Sequence, residues 1–428
     1  MKLTHALTWA LLHGGALSFP GMESTLSDIH KTLKREEQSS QDCRESAELI
    51  GDLEYLEDYE LSPVGARVRN IILGFESGES DEIYFNVPPL NSYACAQDTC
   101  CVWWYIVDEM ERLFRGPSGR CTNPARGAIR LGFHDAAGWS KFTGSRGGAD
   151  GSIVLAPEEI LRPLNHGLEE IIQQMKIWYE QWGGYGISMA DLIQMAGTVA
   201  TVVCPLGPRI RSFIGRQDSH APCTDGLLPD VFSDADTLIE LFRAKTIQPF
   251  GLAALLGAHS TSQQRFVDPS RFGDPQDSTP GVWDVAFYKE TLGRAPPRVF
   301  KFHSDIVLSE DPRIYPEFRA FAGAGGQQHW NNDYAREYVR LSLLGVYNIN
   351  NLTDCTWVLP QARRGGGPED QWVVNAWVNT TGEVPGVVEA LQKGERVEGF
   401  VGLIAKVGGE VVEKGSEVVE RVKRAFRG

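Results

Sequence analysis

The sequence predicts a mainly α-helical fold, and three features predict it. Val102, Ile106, Met110 and Leu113 follow Cys101 at helical spacing, with charged residues between them, as in a helix that buries one face. Pro249 to Leu256 is an apolar run that reads as a buried helix carrying on to His259. Long alternations of apolar and polar residues, which a half-buried sheet requires, are scarce. With 428 residues, 42% of them hydrophobic, the chain can bury a sizeable core as one large domain or two medium ones. Its formal net charge of -15 repels nucleic acid and anionic membrane surfaces, leaving small neutral or cationic partners. Beyond the N-terminus no apolar run approaches the ~20 residues of a membrane-spanning helix.

Composition divides the chain. Residues 1–18 read as an export signal: Met1-Lys2 gives a positive start, Leu3 to Leu12 is mostly apolar, and Ala16-Leu17-Ser18 fits a small-x-small cleavage pattern. Residues 19–90 are acidic and rich in Glu, Asp and Ser, an N-terminal extension or propeptide with Lys34-Arg35 as a candidate processing site. Residues 91–360 read as one domain of helices joined by Gly/Pro-rich loops, and 361–370 as a linker. In the segment 371–428, Phe400, Ile404, Val407, Val411, Val418, Val422 and Phe426 form an amphipathic stripe broken by glycines. The eight cysteines are scattered without paired metal-ligand spacings, which favours disulfides over zinc and agrees with a secreted, extracellular chain. Asn351-Leu352-Thr353 and Asn379-Thr380-Thr381 are glycosylation acceptors in that compartment.

The most informative stretch runs from Ala128 to Asp135. On a helix, Arg130 and His134 stand on one face a turn apart, and Phe133 shares that side. A base beside a fixed cation suits cleavage of an O–O bond. The imidazole moves a proton between the two peroxide oxygens while the guanidinium stabilises the developing negative charge. Alone, such a pair is more often an ordinary polar contact. Asp135 lies about 100° round the helix from His134, facing a different environment. Downstream, Gly147-Gly-Ala-Asp-Gly-Ser152 offers carboxylate, hydroxyl and carbonyl oxygens on flexible backbone, which suits Ca²⁺.

These motifs resemble the distal motif of the fungal secretory (class II) haem peroxidases, over roughly residues 91–360. The resemblance implies a two-lobed helical fold with haem b between a distal and a proximal helix. It implies Arg130 and His134 as distal catalytic residues, Phe133 as the ring over the haem, and Glu159 and Asn165 as the residues that tie His134 into a hydrogen-bond network. His259, in Leu255-Leu-Gly-Ala-His-Ser260, matches the axial iron ligand, and Asp305 the carboxylate that accepts from its other ring nitrogen. Two Ca²⁺ ions are implied: a distal one on Asp135, Gly148, Asp150 and Ser152, and a proximal one on Ser260, Asp277, Thr279, Val282 (through its carbonyl) and Asp284. Three disulfides are implied as well, Cys95–Cys101, Cys100–Cys355 and Cys121–Cys204. Cys43 and Cys223 are left over and are expected to pair.

Departures from the pattern narrow the expected substrate. The carboxylates that hold Mn²⁺ in manganese peroxidases have no counterpart, and Ala254 stands where lignin and versatile peroxidases carry a surface tryptophan. Gln276 replaces a common aromatic residue before the Asp277-Ser-Thr run, which makes the proximal pocket more polar. The expectation is a generic, Coprinus-type peroxidase, a monomer that uses H₂O₂ to oxidise small phenols or similar aromatic donors by one-electron steps at the haem edge. The competing expectation is a secreted, calcium-stabilised binding domain that keeps the scaffold without catalysis. A serine hydrolase is disfavoured because no Gly-x-Ser-x-Gly elbow accompanies the histidines.

Overall fold

The computed structural model describes residues 48–397, apart from positions 366 and 383. The export-type N-terminus, Lys34-Arg35, Cys43 and the apolar stripe from Phe400 to Phe426 lie outside the described residues. Helices dominate, and the sheet among the described residues is one antiparallel pair, Phe213–Ile214 with Thr353–Asp354, in the register Phe213 to Asp354.

Helix Met189–Val203 forms the centre of one group, with every one of its residues buried. It packs against helices Cys101–Phe114 and Asn123–Ala136, and Glu169–Trp182 covers the latter. The stripe read from sequence points inward as expected, with Val102, Ile106 and Met110 buried. A second group gathers helices Ala235–Arg243, Pro249–Leu256, Ala286–Leu292, His303–Glu310 and Tyr315–Ala322. Helix Gly326–Leu341 packs on this second group and also on the N-terminal helix Pro63–Ile72. The apolar helix stops at Leu256, and His259 lies on the tighter 3₁₀ turn Gly257–Thr261 that follows. Gly257 opens that turn: a Cβ there would stand 2.4 Å from the Trp330 indole, so glycine allows the chain to run against that ring.

Residues on either side of the 91–360 stretch also have defined structure. Residues 48–72 are part of the packed body: Ile50, Leu53, Val68 and Ile71 are buried in the main core, and Ser62 caps helix Pro63–Ile72 by accepting from Gly65 N–H. Acidic composition masked the apolar face of this short helix. Beyond the linker, helices Gln371–Val378 and Val387–Lys393 enclose their own small cluster of Val373, Val374, Trp377, Val378, Val387, Leu391 and Val397. That unit is fastened by the buried pair Arg120–Asp370 (2.6 Å), by Ser118 Oγ donating to the Gly394 carbonyl (2.7 Å), and by Arg298 over the Trp377 ring (5.0 Å). Removing Asp370 would strand a buried guanidinium, at a cost of about 3–5 kcal/mol.

The structure contains Cys95–Cys101, Cys100–Cys355 and Cys121–Cys204 as disulfides. Among the described residues Cys223 is buried and unbridged; the partner expected for it, Cys43, lies outside them.

Candidate active site

Helix Asn123–Ala136 begins where Thr122 accepts from Ala125 N–H and Pro124 supplies a helix-ready φ. Its Gly132 is required by close packing, because a Cβ there would come within 2.5 Å of the Tyr338 hydroxyl. The helix presents Arg130 and His134 together: Arg130 Nε donates to His134 Nε2 at 3.2 Å. The rest of the guanidinium is held by carbonyls, Nη1 on His166 O and Nη2 on Leu164 O, both at 2.7 Å.

On its other nitrogen, His134 Nδ1 lies 2.8 Å from Asn165 Oδ1. An amide oxygen only accepts, so Nδ1 carries the proton and Nε2 keeps its lone pair. Asn165 is itself fixed, donating from Nδ2 to the Glu159 backbone carbonyl at 2.7 Å. Burial first, then the Arg130 charge, push the His134 imidazole down to about 3, against the Asn165 bond, which raises it. Burial lowers the Arg130 guanidinium to about 10, so it stays a cation at neutral pH. Phe133 stacks on Phe242 (6.0 Å, 16° between planes) and sets its edge to His134 at 5.7 Å.

The second histidine has a different partner. His259 Nδ1 lies 3.1 Å from Asp305 Oδ1, and Asp305 is fully buried at the start of helix His303–Glu310. Gln276 Nε2 also reaches Asp305 Oδ2, at 3.3 Å, so the residue that departs from the usual aromatic acts on this carboxylate. Phe287 and Phe302 place ring edges against the imidazole at 5.7 and 5.8 Å. With Nδ1 engaged by Asp305, Nε2 is the nitrogen left to bind a metal, which is the donor chemistry an axial iron ligand needs.

Each histidine adjoins a pocket that pairs a buried acid with a half-buried one. Beside His134, Asp135 Oδ2 accepts from Gly151 N–H (3.2 Å), while its buried Oδ1 has no hydrogen-bond partner. Asp150 Oδ1 accepts from Ser152 N–H (3.0 Å), and Asp150 N–H bonds the Gly148 carbonyl (2.8 Å). Gly148 adopts φ +109° against the Leu344 carbonyl, a position closed to any side chain. Burial and then the neighbouring Asp150 push the Asp135 carboxyl far above its usual range, and burial lifts Asp150 to about 6.

Beside His259, Ser260 Oγ donates to the Val282 carbonyl (3.3 Å). Thr279 Oγ1 lies 3.1 Å from both Asp277 Oδ1 and Asp284 Oδ1. Asp277 is fully buried with its Oδ2 unpartnered, and burial and then Asp284 raise its carboxyl well above normal. In both pockets a buried acid with an orphaned oxygen stands beside a half-buried one, surroundings that a hard cation with oxygen ligands would satisfy.

All the residues expected at the site therefore cluster as four groups: Arg130, His134, Phe133, Asn165 and Glu159; His259 with Asp305; and the two acid pockets. Sequence reading missed Cys223 and Arg162, which surround the Glu159 carboxylate: Cys223 N–H donates to Oε1 (2.7 Å), its thiol to Oε2 (3.1 Å), and Arg162 Nη1 donates to the sulfur (3.0 Å). Cys223 lies 64 positions from Glu159, and only its status as an unassigned cysteine marked it.

A helical body with this pair of histidines offers the groups that a haem oxidoreductase acting on H₂O₂ needs. The chain matches the peroxidase family over residues 108–324. It is 31% identical over 287 residues to a peroxidase of Arthromyces ramosus, a match covering 61% of this chain and 76% of that protein. A peroxidase of Coprinopsis cinerea gives the same identity over 287 residues, covering 61% of this chain and 77% of its own length. Ligninase C of Trametes versicolor is 32% identical over 287 residues, covering 61% and 75%. The chain belongs to the peroxidase family and groups with fungal members of it. No single helix among the described residues is long and apolar enough to cross a membrane.

Proposed function

We propose that this peroxidase is a secreted, generic enzyme that uses H₂O₂ to oxidise small phenolic or similar aromatic donors, with Arg130 and His134 as its peroxide-handling pair. One observation carries the reading: Asn165 fixes the Nδ1–H tautomer of His134 and so leaves Nε2 as a neutral base beside a cation. His259 would hold haem b through Nε2, and the haem when bound supplies the redox centre at which the O–O bond is cleaved. His134 Nε2 takes the proton from one peroxide oxygen and returns it to the other, which leaves as water. Its low basicity keeps it neutral and ready at working pH. Arg130 stabilises the negative charge that develops on the departing oxygen. Two donor molecules each lose one electron, and with two protons the peroxide is reduced to two waters.

Asp305 accepts from His259 and keeps that imidazole electron-rich and oriented. Asp135, Gly148, Asp150 and Ser152 would hold one Ca²⁺, and Ser260, Asp277, Thr279, Val282 and Asp284 a second. Each ion would brace the residue next to a working histidine. Export is supported by the N-terminal signal pattern and by the exposure of both sequon asparagines, Asn351 and Asn379. The generic donor class rests on Ala254 and on the missing manganese carboxylates.

The test is to express the chain with haem and Ca²⁺ and record its spectrum before and after one equivalent of H₂O₂. A Soret band that H₂O₂ shifts and phenol restores is expected, with little turnover of Mn²⁺ or a high-potential aromatic alcohol. A purified, folded protein without a Soret band would sink the proposal, and preferred oxidation of Mn²⁺ would sink its donor class.

A further inference from the structure

We propose that Cys223 is a positioning residue for the distal base: as a free thiol it anchors the Glu159 carboxylate, whose segment holds Asn165 and through it His134. The inference rests on the reading of His134 as the base. Glu159 is buried, and a buried carboxylate must have its oxygens satisfied. Cys223 satisfies both, with its backbone N–H on Oε1 and its S–H on Oε2. Arg162 grips Cys223 in turn, Nη1 on the sulfur and Nη2 on the carbonyl (2.9 Å), and lies 3.8 Å from Glu159 Oε2. The carbonyl of the same Glu159 receives the Asn165 amide, so three short links connect the sulfur to His134 Nδ1.

Packing supports the same role. Cys223 is wedged between Gly138, just past the end of helix Asn123–Ala136, and Gly147, at the start of the distal acid loop. A Cβ on Gly138 would stand 2.9 Å from the sulfur, and one on Gly147 3.0 Å from the Cys223 Cβ. The thiol thus joins the catalytic helix, the acid loop and the Glu159 segment at one point. Burial and the adjacent Glu159 raise its pKa, which keeps the sulfur protonated and able to donate. A disulfide sulfur carries no proton, so the Cys43–Cys223 bridge expected from sequence would remove the donor to Oε2.

The full haem-loaded chain allows two tests. Unfolding it without reductant in an alkylating agent, followed by peptide mapping, should find Cys223 alkylated; a Cys223 disulfide overturns the proposal. The second test compares Cys223→Ala and Cys223→Ser. Two readouts are followed: the rate constant for reaction with H₂O₂, and solvent exchange of the His134 Nδ1 proton by NMR in the cyanide-inhibited enzyme. The alanine variant should react on the order of tenfold more slowly, as expected when an outer partner of a catalytic group is lost. Its proton should exchange faster. Serine keeps a donor and should return both readouts toward wild type.

A folded Cys223→Ala enzyme with wild-type exchange and rate overturns the role, as does a serine variant no better than alanine. Should Cys223→Ala not fold, Arg162→Gln carries the test by freeing the sulfur from its second partner, and unchanged proton exchange there overturns the role. If His134→Leu reacts normally with H₂O₂, the base assignment itself has failed. If only the Cys223 variants behave normally, the base stands and the anchor falls.

Discussion

His134 and His259 are the same residue in two different settings, and the difference lies in the partner at Nδ1. An amide oxygen faces His134, whereas a carboxylate faces His259. The amide fixes the tautomer without adding charge, so burial and Arg130 keep the ring neutral and its Nε2 lone pair available for a proton. A carboxylate instead draws the Nδ1 proton toward itself and enriches the ring as a metal ligand. Arg130 and Gln276 extend the contrast: one donates to His134 Nε2, the other to the Asp305 carboxylate.

Deleting each ring is the strongest way to break the comparison. His134→Leu should keep haem bound but slow the reaction with H₂O₂ by about three orders of magnitude, within the range for loss of a general base. Stopped-flow spectra measure this directly, and a near-normal rate would remove His134 from the mechanism. His259→Ala should do the reverse, failing at haem retention before reactivity. Unchanged haem occupancy and spectrum in that variant would defeat the ligand assignment.

Exchanging partner chemistry sharpens the contrast. In Asn165→Asp a carboxylate replaces the amide opposite His134, and an adjacent opposite charge raises a histidine pKa by about 1–3 units. The base works only when neutral, so the acid limb of the pH–rate profile should move to higher pH. The variant should therefore lose most rate near pH 5 and recover toward pH 8. A limb that stays put, or moves down, would mean that the partner at Nδ1 does not set the basicity of this ring.

The Arg130–His134 pair was legible because four residues on a helix is a local geometry, and a helix keeps what its spacing promises. Asn165 and Asp305 lie 31 and 46 positions from their histidines, and no periodicity connects residues so far apart. Only the resemblance to a known family reached them. The Glu159–Cys223 contact had neither support: the two residues lie 64 positions apart, and the resemblance assigned no role to Cys223. Composition gave no sign of how residues 48–72 pack, for a related reason. Averaged charge hides a few apolar residues on one face, and Val68, Ile71 and Ile72 at the end of a capped helix were enough to dock it.

The smallest expected effect concerns the acid pockets beside the two rings, and its sign follows from their titration. Without a cation, Asp150 titrates at about 6, and burial also raises Asp135 and Asp277 well above the usual carboxylate range. Between about pH 4, where these groups titrate in the unfolded chain, and those raised values, the folded protein binds more protons than the unfolded one. The stability of the cation-free protein therefore falls as pH rises through that window. Ca²⁺ binding needs the carboxylates ionised, so its stabilisation grows over the same window. A chelator should lower Tm by several degrees at pH 7.5 and by clearly less at pH 5, since about 1 kcal/mol corresponds to a few degrees in a domain of this size. Asp135→Asn and Asp277→Asn divide the effect between the pockets. Each should lessen the chelator shift, the first slowing the reaction with H₂O₂ through its neighbour His134, the second speeding haem loss through Ser260 and His259. A chelator shift that widens on acidification would show that these acids do not hold the ion, and equal functional effects from the two variants would dissolve the distinction between the two histidines.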